Sequence, residues 1–158
     1  MLPTGYVSGC VACEANAGVR AAPGGVIHQD DFWRLEHLLS PAPLAGWLVL
    51  KPLRHCEGLE ELTEEEANNL GPLLRAACTA LQAATGAAKV YSIFLGESVA
   101  HLHIHLIPRA PDHPEAFRGP RVFELLRRAA ETGQGVLEGD AAAMAEAVRQ
   151  RLAMVRAV

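Results

Sequence analysis

The octapeptide His-Leu-His-Ile-His-Leu-Ile-Pro at 101–108 constrains the fold more than any other stretch of this sequence. A strand sends successive side chains to opposite faces of a sheet. His101, His103, His105 and Ile107 then share one face, and Leu102, Ile104 and Leu106 share the other. The aliphatic face can bury itself on a helix. The imidazole face needs a cleft, because three polar rings are costly to bury without partners. Neighbouring histidines stand about 6.6–6.8 Å apart along such a strand, two residues of strand rise.

A helix suited to that role is legible at 63–85. Thr63 with Glu66 forms a capping-box pattern, and Glu64 to Glu66 place negative charge at the positive end of the helix dipole. Ala67, Leu70, Leu74, Ala77 and Leu81 recur at helical spacing. Pro72 lacks the N–H that would reach the carbonyl of Asn68 and predicts a kink; Gly86 predicts the stop. Residues 26–39 read as two short strands turning at Asp30–Asp31. The apolar run at 47–52 reads as a central strand buried on both faces, ended by Pro52. Another strand is expected at 88–94, followed by a tight loop and then the histidine strand, closed by Pro108.

The flanks are less regular. Residues 1–24 read as loop, rich in Gly, Pro and Ala, and 110–120 as irregular. An amphipathic helix at 121–130 carries Val122, Leu125, Leu126 and Ala129 on one side. A last helix at 141–156, capped by Asp140, carries Met144, Val148, Leu152 and Val155. Strands in runs, interrupted by one long helix, predict an α+β fold with an antiparallel sheet rather than a doubly wound nucleotide fold.

At 158 residues the chain suits one ordinary domain. A formal net charge of −4 provides no basic field for gripping nucleic acid. No apolar run approaches the ~20 residues of a membrane-spanning helix, and the opening MLPTGYVSGCVAC lacks a basic leader followed by an apolar stretch. A cytoplasmic protein with neither a nucleic-acid nor a membrane partner is expected. In a reducing compartment Cys10 and Cys13, spaced C-x-x-C, suit metal ligation or redox chemistry better than a structural disulfide. Cys56 has no spaced partner, and Cys78 reads as helix packing.

Three uses of the histidines compete: a solvated polar face, a catalytic metal site built from all three, or a division of labour. The rest of the sequence favours the last. Cys10 and Cys13 need two further ligands to close a tetrahedral zinc. His55, just after the strand at 47–52, and His101 are placed to supply them. Such a shell leaves no position for water, so the zinc is structural, and His103 and His105 stay free for chemistry.

The run His101–Ile107, with LGESV before it, WLVLKPLRH upstream and ELTEEE opening the helix between, resembles the signature of the histidine triad (HIT) superfamily, in its zinc-bearing form. The resemblance covers roughly residues 8–110, a nucleotide-binding catalytic domain; 111–158 would be a helical extension packed on it. It implies a small α+β fold, a homodimer, and attack on the α-phosphorus of a nucleoside phosphoramidate, dinucleoside polyphosphate or similar small nucleotide. His103 would be the nucleophile, with His105 and Ser98 contacting phosphate oxygens and Gly96 letting the loop backbone approach. The zinc set maps onto Cys10, Cys13, His55 and His101. Two positions depart from the family pattern: Glu97 replaces a glutamine beside the phosphate, and His37 stands where an aspartate grips the ribose. Phe32 and Trp33 suit core packing more than a base pocket; Arg109, following Pro108, reads as a phosphate neighbour, and His28 and His113 read as surface or loop residues. The alternatives are a metal-dependent hydrolase with all three histidines on the catalytic ion, and a nucleotide-binding scaffold without turnover.

Overall fold

The computed structural model describes residues 5–157. Five antiparallel strands form one sheet in the order β1-β2-β3-β5-β4: β1 Val26–Gln29, β2 Trp33–His37, β3 Leu48–Pro52, β4 Lys89–Ile93 and β5 Ile104–Arg109. Four α-helices accompany it: α1 Val11–Asn16, α2 Glu64–Thr85, α3 Phe123–Thr132 and α4 Glu138–Arg156. The fold is α+β, with β3 and β5 central.

Register divides the sheet into two faces. Glu36 lies opposite Val49 and Val49 opposite His105, while Arg34 lies opposite Lys51. These residues share one face; Trp33, Leu35, Leu48, Leu50, Ile104 and Leu106 share the other. The second face is the main core. It packs with Leu73, Ala77, Ala80 and Leu81 of α2 and with Ala145, Val148 and Leu152 of α4. Each fully buried Leu or Val there contributes ~1.5–3 kcal/mol. The first face is only half covered. Trp47, Ile107 and Val122 pack with Phe123 and Leu126 under the C-terminal segment, and the remainder opens into a cavity.

Local signals explain most boundaries. The α2 capping box forms as a reciprocal pair between Thr63 and Glu66, and Gly86 ends the helix in the left-handed conformation at φ 67°. Asp30 turns β1 into β2 by accepting from the amides of Phe32 and Trp33 at 2.9 and 2.8 Å.

Several expectations are corrected. The 1–24 segment is not all loop: the C-x-x-C opens the short helix α1. Helix α2 runs through Pro72 as one element, as expected, but its buried stripe is Leu73, Ala76, Ala77, Ala80 and Leu81, with Ala67 exposed. The histidine strand is shorter than its alternation suggests. Pairing with β3 begins at Leu50–Ile104, and the Leu102 amide donates instead to the carbonyl of Cys56 at 2.7 Å; His101 and His103 therefore precede β5, which continues through Pro108 to Arg109. Helix α4 begins at Glu138 with Leu137 as its N-cap, so Asp140 lies inside the first turn. Helix α3 is displaced to 123–132, after a 3-10 turn at Gly119–Val122. His113 lies in a loop, as expected, but is buried there rather than at the surface, and its Nε2–H donates to the carbonyl of Phe117 at 3.2 Å.

Candidate functional site

Cys10 is the N-cap of α1 and Cys13 lies in the helix. Three residues apart, their sulfurs share one side of it. His55 follows β3, and the buried His101 precedes β5. The four ligand atoms all lie within 4.8 Å of one another. Cys13 Sγ is 3.5 Å from His55 Nδ1 and 3.4 Å from His101 Nδ1, and Cys10 Sγ is 3.7 Å from His101 Nδ1. A tetrahedral zinc with Zn–N and Zn–S bonds of ~2.0–2.3 Å needs ligand separations of this size. The outer contacts suit a metal as well. His101 Nε2–H donates to the carbonyl of Pro52 at 3.0 Å, leaving Nδ1 unprotonated toward the sulfurs. The Val7 amide approaches Cys13 Sγ at 3.5 Å. Burial lowers the pKa of His101 to about 4 and raises that of the Cys13 thiol. The ring is thus neutral, and a thiolate at Cys13 needs a cation to be stable. The donor set fits a closed Cys2His2 metal site.

Beside this cluster lies a cavity of about 320 Å³. It is lined by Val11 and Ala12 of α1, the 95–99 loop, Phe123 and Leu126 of α3, and, as its floor, His103 with the sheet-face residues Glu36, Val49, Lys51 and His105. The two imidazoles stand 5.0 Å apart, edge to face. His103 Nδ1–H donates to the carbonyl of His101 at 2.6 Å. A carbonyl can only accept, so the proton sits on Nδ1 and the lone pair of the neutral ring on Nε2. His105 is fixed in the opposite tautomer. The Trp47 indole Nε1–H can only donate, and it donates to His105 Nδ1 at 2.9 Å. Burial, then the neighbouring His103, lowers the pKa of His105 to about 4. This neutral ring carries its proton on Nε2. A lone pair and an N–H donor therefore stand side by side, a pairing suited to attacking an electrophile while steadying the charge that grows on it.

The remaining candidates divide. Gly96, Glu97 and Ser98 line the cavity, with Glu97 and Ser98 exposed. Gly96 takes φ 74°, and a Cβ there would meet the Phe94 ring at 2.9 Å, so the loop turns sharply only because the residue is glycine. His37 lines the cavity but is fully buried, with both nitrogens committed: Nδ1–H donates to the Leu38 carbonyl and Nε2 accepts from the Gly46 amide, each at 2.9 Å. A sugar hydroxyl would have to displace one of these bonds. Trp33 belongs to the core on the other face, where its Nε1–H reaches the Glu66 carbonyl at 3.2 Å. Arg109 is not among the cavity residues; its Nη1–H reaches the Ala110 carbonyl at 3.4 Å.

Sequence reasoning missed Trp47 as the partner of His105, Phe123 and Leu126 as a wall, and Glu36 and Lys51 as part of the floor. The odd-numbered residues of WLVLKP, Trp47, Val49 and Lys51, would have shown that strand's cavity face; nothing in the sequence pointed to the docking of α3.

The HIT domain family model matches residues 21–112. Comparison with curated protein sequences gives no match. Among solved structures, a HIT-like protein involved in cell-cycle regulation from Bartonella henselae superposes with a TM-score of 0.69 at 14% identity, covering 92% of this chain and 98% of its own. A zinc-bound histidine triad family protein from Mycobacterium smegmatis gives 0.68 at 18% identity, covering 94% and 96%. A histidine triad protein from Sinorhizobium meliloti gives 0.64 at 22% identity, covering 85% and 91%.

Proposed function

The chain belongs to the HIT family, whose members are generally nucleotide hydrolases or transferases, and from that premise we propose that it cleaves the α-phosphorus bond of a small nucleotide through a covalent intermediate on His103. The substrate class is a nucleoside phosphoramidate, a dinucleoside polyphosphate or a similar nucleotide. The Nε2 lone pair forms the N–P bond while the bond to the leaving group breaks and its electron pair departs with that group. Water or another acceptor then attacks phosphorus and releases His103. His105 Nε2–H, Ser98 and the loop amides stabilise charge on the phosphoryl oxygens, and one such donor is commonly worth ~3 kcal/mol of barrier.

The observation that carries this reading is the opposed pair of tautomers, set by the His101 carbonyl on one ring and the Trp47 indole on the next. The rival reading, with all three histidines on one catalytic ion, has less support. His101 Nδ1 faces the cysteines, while His103 and His105 each commit Nδ1 within the chain.

Zinc is the ion we assign to Cys10, Cys13, His55 and His101, as a brace; mixed thiolate and imidazole donors in a four-fold set suit it. The zinc-bound relative from Mycobacterium smegmatis supports that choice. A cytoplasmic homodimer belongs to the same reading. No described helix is long and apolar enough to cross a membrane, and β4 is an edge strand onto which a second copy can add; sedimentation velocity checks the dimer.

Quenching into denaturing alkali during turnover of adenosine and guanosine phosphoramidates, because the P–N bond to histidine is acid-labile, followed by mass spectrometry of the peptide containing His103, tests the mechanism. A nucleotidyl adduct on His103 is expected. Nucleotide binding with neither adduct nor turnover would make the protein a binding module instead.

A further inference from the structure

The cavity floor holds a buried ion pair that the chemistry at His103 does not use. Lys51 Nζ donates to Glu36 Oε1, with both side chains 3% exposed, and Arg34 Nε donates to Glu36 Oε2 at 2.9 Å. Both Glu36 and Lys51 line the cavity, close to the apolar Val11, Ala12 and Val49. Charges placed there are costly. Exchanging a buried ion pair for well-packed apolar residues is often neutral or stabilising, so packing alone gives no reason for this one.

The pair is also incompletely used. An ammonium carries three donors, and among the described residues Lys51 spends one, on Glu36. Each Glu36 oxygen keeps a second lone pair beyond the bond it accepts. Two strand spacings, about 10 Å, separate the backbone of His105 from that of Glu36, with Val49 between them. A pentose fits between a phosphorus at the histidines and a base at the ion pair.

We propose that Glu36 and Lys51 select the ligand's base by a lactam edge, a carbonyl oxygen beside a ring N–H, as in guanine, hypoxanthine and uracil. Lys51 donates to the carbonyl oxygen, and Glu36 accepts from the adjacent N–H. Adenine and cytosine present a ring nitrogen beside an amino group and give Lys51 a poorer acceptor. The inference rests on the nucleotide reading above and adds which nucleotides that site takes.

The experiment compares kcat/KM of the full-length, zinc-loaded protein on the 5′-phosphoramidates of guanosine, inosine, uridine, adenosine and cytidine, then repeats it with Lys51→Met and Glu36→Gln. The three lactam bases should exceed the other two by about tenfold or more, as expected of a site that must leave buried polar groups unpaired with the wrong ligand. Lys51→Met should erase the preference while a His103 adduct still forms with adenosine. Equal use of all five bases by the wild type, with the adduct present, overturns the inference and leaves the nucleotide chemistry standing. So does a preference that survives both substitutions, or a loss shared equally by all bases together with a fall in Tm, which would make the pair structural. Discrimination between ribose and 2′-deoxyribose, abolished by Glu36→Gln without any base preference, would assign Glu36 to the sugar and overturn it too. If no substrate yields an adduct, the nucleotidyl mechanism fails, and calorimetric binding of guanosine against adenosine 5′-monophosphate decides the base question alone. Should Lys51→Met not fold, the wild-type panel and Glu36→Gln still decide.

Discussion

His103 donates its Nδ1 proton to the carbonyl oxygen of His101, 2.6 Å away, while the ring of that same His101 reaches Cys13 through Nδ1 at 3.4 Å. One residue thus serves the metal cluster with its side chain and the neighbouring imidazole with its backbone. The two centres are mechanically joined yet chemically separate.

Replacing His103 with Ala should abolish the adduct and lower kcat by about a thousandfold or more, the scale seen when a covalent nucleophile is removed. Metal content, measured by plasma mass spectrometry, should stay at one zinc per chain. Loss of zinc together with turnover would instead mean that His103 is a metal ligand.

Cys13→Ser should lose the zinc and destabilise the fold by several kcal/mol, about 10 °C or more in Tm. Chelation of the wild type should do the same, with activity falling in parallel with unfolding rather than before it. Loss of turnover at unchanged Tm would mark the ion as catalytic.

Trp47→Phe keeps the ring packing against Phe123 but removes the N–H that holds His105 Nδ1. A net hydrogen bond of ~1 kcal/mol and a freed tautomer should lower kcat about five- to tenfold. Nitrogen-15 shifts of His105 should move from Nε2–H alone toward a mixture of tautomers; an unchanged spectrum would rule out this role for Trp47.

Stability should fall with pH between about 6.5 and 4. The folded pKa of His105 is lowered to about 4 from its ordinary 6.5, first by burial and then by His103. Within that window the unfolded chain binds the proton and the native chain does not, so stability is complete above 6.5 and declines by up to ~1.4 kcal/mol per pH unit on acidification. His37, buried with both nitrogens bonded, acts in the same direction. Urea denaturation from pH 4 to 7 should show a shallower slope for His105→Gln than for the wild type.

The sheet, the long helix and the cysteine–histidine cluster were all legible because each rests on spacing. Thr63 with Glu66, Asp30 in its turn, and Cys10 with Cys13 act over three residues or fewer, and local geometry decides them. Helix α1 was not legible: six residues offer too few turns for periodicity, and no side chain caps it. The histidine alternation overstated its strand because alternation records which face a side chain takes, not whether a neighbouring strand is there to pair. For His101 to His103 there is none, and the Leu102 amide turns to Cys56. Glu36 and Lys51 escaped notice because their significance comes from register across β2 and β3, which no single segment encodes. The docking of Phe123 against His105, ring centroids 5.3 Å apart, is a tertiary choice of the same kind.

Between Cys10 and Cys13 the chain has only Val11 and Ala12, and both face the cavity. Anyone re-engineering substrate scope inherits that arrangement: lengthening or shortening this spacer would misplace the sulfurs and the wall together. Variation is safer from Leu95 or Leu126, which border the same space without carrying a ligand.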